Sequence, residues 1–193
     1  MRPRPSADTV RIATAANLAN RAHAACNQVR KGTGLPYIIH PARVAALVEE
    51  SGGTTDQIAA AWAHDVLEDC PPFRDEARFV LAPEVYALVR ELTKAEVSPG
   101  KRVKGEAFMA ELRAMSPTAK LVKLCDRLDN LRDVARANQP DWAAAYARES
   151  VEVLAALTGT QPATGPAAEQ LAAEIRAQIC VLLGEPAAAP RVA

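Results

Sequence analysis

The chain has 193 residues, enough for one domain whose core needs no disulfide or metal staple to fold. Hydrophobic residues at 49% and charged residues at 24% are the proportions of a soluble globular protein, and 23 Lys+Arg against 23 Asp+Glu exclude a generic polycation for nucleic acid. Aromatics at only 4%, beside abundant alanine, favour helices over a sandwich or barrel.

From the N-terminus, residues 1–6 read as a loose, flexible end. A first helix is predicted from about Asp8 to Val29, broken by Gly32-Thr33-Gly34-Leu35-Pro36. Pro41, directly after His40, suits the first position of a short helix to about Ser51. Thr54 or Thr55 caps the next helix, which ends near Asp69 before Pro71-Pro72. Pro83 opens a helix to about Ala95, and a basic loop with Lys94, Lys101, Arg102 and Lys104 follows. Helices are predicted at about 104–115 and 117–137, the second with Ser116 as cap and Pro117 at its first position. Two more run at about 140–157 and 166–183, with 158–165 a loop between them and 185–193 a second flexible end. No repeat or linker interrupts this series, so one all-α domain is expected over residues 7–184.

Cys26, Cys70, Cys125 and Cys180 form no CxxC, and no signal-peptide pattern leads the chain. They read as reduced core thiols of a cytoplasmic protein. No apolar run approaches the roughly 18 residues that span a bilayer, so no membrane partner is expected.

Three segments carry chemistry. In the helix through Asp69, Ile58, Ala59, Trp62, Ala63, Val66 and Leu67 fill one half of the wheel, and His64, Asp65, Glu68 and Asp69 the other. A charged arc is ordinarily a solvated face. An imidazole directly followed by a carboxylate can also bind one divalent metal, leaving Glu68 and Asp69 to handle water. Pro36-Tyr37-Ile38-Ile39-His40-Pro41 sets a second histidine where a rigid turn meets a helix; a helix cap, or packing on the tyrosine, is its bland alternative. In the third segment, Leu121, Leu124, Leu128 and Leu131 make a core stripe, with Asp126, Asn130 and Asp133 nearly opposite. Ala119 and Val122 share that opposite side, so this helix is expected to be covered on both faces, its polar side lining a cleft.

His40, His64-Asp65 and Asp126 resemble the H…HD…D ligand set of the HD phosphohydrolase superfamily. The wording around them, Arg30-Lys31, Pro36 to Pro41, His64 to Asp69 and Lys123 to Asp133, is similar to the alarmone hydrolases. These include the hydrolase domain of bifunctional RelA/SpoT enzymes and the small stand-alone hydrolases known as metazoan SpoT homologues. The likeness covers about residues 10–160.

The resemblance implies a helical bundle of about eight to ten helices. It implies one Mn²⁺ on His40, His64, Asp65 and Asp126, with Glu68 and Asp69 as the catalytic pair that positions and activates water. Arg30, Lys31 and Lys101 would contact a guanosine bis-diphosphate nucleotide, Lys101 at its phosphate, and Asn130 the ribose or base. The expected reaction is hydrolysis of guanosine 3′,5′-bis(diphosphate) to GDP and pyrophosphate. Rival readings are hydrolysis of another phosphorylated nucleotide, such as the 2′-phosphate of NADPH, and a non-catalytic nucleotide-binding module. A homo-oligomer and genetic pairing with an alarmone synthetase are further expectations. The chain departs from the family pattern at Asn27-Gln28 (usually Gly-Gln), at Asp129 and Asp133 (often His and Thr), and at Tyr146, where small hydrolases commonly have arginine, with Arg148 nearby. His23 sits two residues early and is expected to be structural or exposed.

Overall fold

Capping side chains and prolines set most helix boundaries in the computed structural model, which describes residues 5–98, 100–159 and 165–185. The expected chain ends at 1–4 and 186–193, and most of the expected loop (160–164), lie outside the described residues. Ten α-helices are present among the described residues. Helix α1 (Ala7–Ala25) starts at Ser6, whose side chain accepts from the Thr9 amide, so Ser6 is a cap rather than part of a loose end. It stops four residues earlier than predicted because Asn27 turns the chain at φ 52°, the left-handed region that asparagine tolerates and most residues do not. That conformation explains how asparagine stands where the family usually has glycine. Val29 then pairs with Pro36 in an isolated bridge, and the Arg30 amide donates to the Leu35 carbonyl at 2.8 Å, closing a tight loop that begins at Arg30.

Helix α2 (Ile39–Glu50) starts two residues before the predicted Pro41, which occupies its third position. A missing N–H is tolerated there because first-turn amides have no partner within the helix. Thr54 caps α3 (Thr55–Ala63) through a capping box with Gln57. The predicted unbroken helix to Asp69 is corrected: it turns at His64-Asp65 and resumes as α4 (Val66–Asp69). The cause is local. His64 Nδ1 donates to the Ala61 carbonyl at 2.7 Å, so the side chain caps the helix it follows.

A 3₁₀ turn (Pro71–Phe73) and α5 (Arg74–Val80) follow the Pro71-Pro72 break and fill the stretch before Pro83. After α6 (Pro83–Leu92), the basic loop holds two short antiparallel strands, β1 (Glu96–Ser98) and β2 (Lys101–Arg102). Helices α7 (Gly105–Ala114), α8 (Pro117–Val134), α9 (Pro140–Thr158) and α10 (Pro166–Leu183) follow close to their predicted places. No helix among the described residues is long and apolar enough to cross a membrane.

Helix α3 packs against α1, α2 and α6, and α8 against α2, α9 and α10. Ala59, Ala60, Ala61 and Ala63 are fully buried, so α3 is thin and its neighbours approach closely. Leu124, Leu128 and Leu131 are fully buried on α8, each worth about 1.5–3 kcal/mol of transfer free energy. The opposite side of α8 is also covered: Asp126, Asp129 and Asp133 are only 6%, 2% and 4% exposed. Of the four free cysteines, Cys70 and Cys125 are buried and Cys26 and Cys180 half-buried.

The Arg30 loop is wedged on the α8–α9 junction at Gly32, where an added Cβ would lie 2.7 Å from Ala137 Cβ and 3.3 Å from the Trp142 ring. Gly32→Ala is therefore expected to destabilise the fold by about 1–3 kcal/mol through overpacking. Urea unfolding would show this as a lower midpoint with unchanged slope.

Candidate metal centre

Three elements bring four side chains together. Helix α2 supplies His40, the α3–α4 corner supplies His64 and Asp65, and α8 supplies Asp126. His40 Nε2 lies 3.2 Å from Asp126 Oδ1 and 3.7 Å from Asp65 Oδ2. His64 Nε2 lies 3.1 Å from Asp65 Oδ2 and 3.8 Å from Asp126 Oδ1. Ligand atoms of His40, His64 and Asp65 all fall within 4.8 Å of one another.

Each imidazole is held by its other nitrogen. His64 Nδ1 is on the Ala61 carbonyl, and His40 Nδ1 is on Asp129 Oδ2 at 2.7 Å. Both Nε2 atoms are buried without a hydrogen-bond partner, although carboxylate oxygens face them. A buried polar atom left unsatisfied is expensive, and two aimed at the same pair of carboxylates are the donor set a cation would complete. The residues present therefore fit a divalent metal. His23 Nε2 is likewise buried and unpartnered, its Nδ1 bonded to Gln28 Oε1, so the histidine is buried as its structural reading expects.

The electrostatics have the same cause. Burial alone would lower the His64 pKa, but the negative charges of Asp65 and Asp126 facing it push it up to about 10. His40 also moves up: burial opposes, and Asp126 and Asp129 prevail. Asp65 and Asp126 stay ionised far below the usual carboxylate range, because the imidazoles, and for Asp126 foremost the Lys123 ammonium, outweigh their burial. The site thus draws in protons wherever a cation is not bound.

Further side chains brace these four. Tyr37 donates its hydroxyl to Asp65 Oδ2 at 2.7 Å, and burial together with Asp65 keeps that phenol protonated. Lys123 Nζ lies 2.8 Å from Asp126 Oδ2, and Asn130 Nδ2 donates to Asp126 Oδ1 at 2.5 Å. None of these three bracing roles was read from the sequence. Lys123 at i−3 and Asn130 at i+4 from Asp126 are helix neighbours, a spacing that signals them. Tyr37 adjoins the His40 turn and carries no comparable signal.

The remaining expected site residues spread around this centre. Asp69, in α4, is half-buried; desolvation and the charges of Asp65 and Glu68 raise its carboxyl to about 6. Glu68 Oε2 accepts from the Lys94 amide at 3.3 Å. Arg30 is buried, donating from Nε to Asp133 Oδ2 at 2.6 Å and from Nη2 to Asn130 Oδ1 at 2.7 Å. Asn130 thus has a protein partner on each of its amide atoms, with one N–H and one carbonyl lone pair left over. Lys31 is exposed, its Nζ 5.0 Å from the Trp142 ring. Lys101 is exposed on β2; its neighbour Arg102 is the basic residue that reaches α4, donating to the Glu68 carbonyl at 2.9 Å. Tyr146 stacks under Arg127, 4.7 Å from guanidinium to ring centre, and Arg148 is exposed. An open groove of about 400 Å³ beside α1 is lined by Thr9, Val10 and Val80 and contains none of the site residues.

Metal binding here must displace the protons held by His64 and His40, so apparent affinity for Mn²⁺ is expected to rise with pH through the neutral range. Calorimetric titration at several pH values checks this, and Asp126→Ala should weaken binding at all of them. The metal-free fold should respond in the opposite sense. The raised His64 pKa contributes stability that is complete below roughly pH 6.5, the unfolded value, and is lost as pH rises through about 10. Thermal melts of metal-free protein should therefore fall across that window.

Comparison with known proteins agrees with this geometry. The HD domain family matches residues 15–163. The guanosine-3′,5′-bis(diphosphate) 3′-pyrophosphohydrolase MESH1 of Mus musculus is 35% identical over 157 residues, 78% of this chain and 87% of that protein. Its Homo sapiens counterpart is 34% identical over 160 residues, 79% of this chain and 88% of that protein. Among solved structures, a metazoan orthologue of SpoT that hydrolyses ppGpp superposes with a TM-score of 0.72 at 27% identity, covering 92% of this chain and 98% of that one. With its H…HD…D residues gathered at one buried centre, the chain belongs to the HD-domain family, among relatives of the MESH1 type.

Proposed function

We propose that this protein hydrolyses guanosine 3′,5′-bis(diphosphate) to GDP and pyrophosphate with Mn²⁺ on His40, His64, Asp65 and Asp126. The observation that carries the reading is the pair of orphaned Nε2 atoms facing two ionised carboxylates, in a chain that spans most of the length of hydrolases named for this reaction. A mixed nitrogen and oxygen donor set with open positions suits Mn²⁺, and also accepts Fe or Zn. Bound there, the cation neutralises phosphoryl oxygens and lowers the pKa of water.

The chain's own residues supply the rest. Water adds to the phosphorus on the ribose 3′-oxygen, that phosphorus–oxygen bond breaks, and the 3′-oxygen leaves with a proton. Asp69, with its pKa near neutrality, is suited to take the water's proton, since a base works best when its pKa lies near the working pH. Glu68, steadied by the Lys94 amide, lies beside it in α4 and orients the water. Lys123 holds Asp126 and adds positive charge at the phosphate side. Arg30, Lys31 and Lys101 take the nucleotide, Arg30 through the face of a guanidinium fixed on Asp133 and 5.4 Å from the Tyr37 ring.

Glu68→Gln and Asp69→Asn keep size and lose basicity. Turnover is expected to fall by roughly 10²–10⁴-fold in each, with metal content unchanged. Wild-type kcat should decline as pH falls through about 6, where Asp69 becomes protonated and can no longer accept a proton. The substrate is tested by incubating Mn²⁺-loaded protein with guanosine 3′,5′-bis(diphosphate) and with NADPH. Pyrophosphate release from the first supports the reading. Phosphate from NADPH with no pyrophosphate from the guanosine nucleotide would overturn it, and inactivity on both would favour a binding module.

A further inference from the structure

Asp126, Asp129, Asn130 and Asp133 follow one another at i, i+3, i+4 and i+7 on α8, so they share one face. Their contacts close a ring. Asp129 Oδ2 holds His40 Nδ1 at 2.7 Å, and Asp129 Oδ1 lies 4.0 Å from Arg43 Nη1. The same Arg43 nitrogen is 3.4 Å from Asp133 Oδ1, while Asp133 Oδ2 holds Arg30 Nε at 2.6 Å. Arg30 continues to Asn130, and Asn130 to Asp126, which faces His40 again.

We propose that Asp129 is a positioning residue: through Nδ1 it fixes His40 with Nε2 toward the metal position, and through Arg43 and Asp133 it ties that orientation to Arg30 on the nucleotide side. A carboxylate only accepts, so Nδ1 must carry the hydrogen of this contact and Nε2 is the nitrogen offered inward. His64 reaches the same state through a backbone carbonyl, whereas His40 depends on a side chain. A carboxylate in that place also makes the imidazole a stronger ligand. It is only 2% exposed, and its counter-ion Arg43 is shared with Asp133. Removing Asp129 therefore frees Arg43 to draw Asp133 away from Arg30, and the two sides of the pocket loosen together.

This inference rests on the metal reading above, and the experiment separates the two. Asp129→Ala and the near-isosteric Asp129→Asn are compared with wild type after circular dichroism has shown that each is folded. With only three histidines in the chain, the imidazole N–H signals can be assigned by nitrogen-15 NMR. A slowly exchanging, downfield Nδ1–H of His40 is expected in metal-free wild type, retained in Asp129→Asn and lost in Asp129→Ala. Titration with Zn²⁺ or Mn²⁺ alone should show affinity reduced by roughly 10–100-fold in Asp129→Ala and less in Asp129→Asn. Binding of GDP to metal-free Asp129→Ala should weaken as well, which a contact confined to His40 would not cause. Survival of the His40 Nδ1–H signal, or of wild-type affinity for both metal and GDP, in Asp129→Ala overturns the proposal. Wild type that binds neither metal removes the metal reading instead, and the NMR signal still decides whether Asp129 holds His40.

Discussion

Two imidazole nitrogens and two carboxylates meet within about 4 Å at a largely buried site, and that meeting is stable only around positive charge. Without a cation the histidines take up protons; with one, the same lone pairs become ligands. Much of the surrounding structure serves this requirement. Lys123 sits against Asp126, Tyr37 against Asp65, and Asp129 against His40, so each group that would be costly to bury alone has a partner.

Helix α8 bears the largest share of the load. Its leucines anchor it between α2, α9 and α10, and its acidic face turns inward instead of to solvent. Burying three aspartates on one helix face would be prohibitive without counter-charges, and Lys123 of α8 itself, His40 and Arg43 of α2, and Arg30 of its loop provide them. The metal position and the expected nucleotide side are consequently built from one continuous set of contacts. The thin, alanine-rich α3 contributes differently: it lets α1 and α2 close on the His64 corner.

Much of this was legible in the residues. The leucine stripe of α8 with polar residues opposite, the prolines at helix starts and the Ser116 and Thr54 caps are local signals, and they located most helices closely. His40, His64, Asp65 and Asp126 were recognisable because their spacing in three short motifs is distinctive, and the structure brings all four together. Other features depend on contacts between distant segments. The bend at His64 arises from a side chain capping its own helix, which hydrophobic periodicity does not register. Asp129 appeared only as a departure from the family, since its partner His40 is 89 positions away. The pairing of Arg30 with Asp133 and Asn130 was hidden for the same reason. Helix α5 follows two prolines, a signal that in sequence argues for a break.

The central claim is that His40, His64, Asp65 and Asp126 enclose one divalent cation. A crystal structure of the protein grown with Mn²⁺, with data collected at the manganese absorption edge, tests it most directly. The account predicts one strong anomalous peak within bonding distance of His40 Nε2, His64 Nε2 and oxygens of Asp65 and Asp126. A peak bound by other residues, or none at these four with the protein saturated in Mn²⁺, would contradict it.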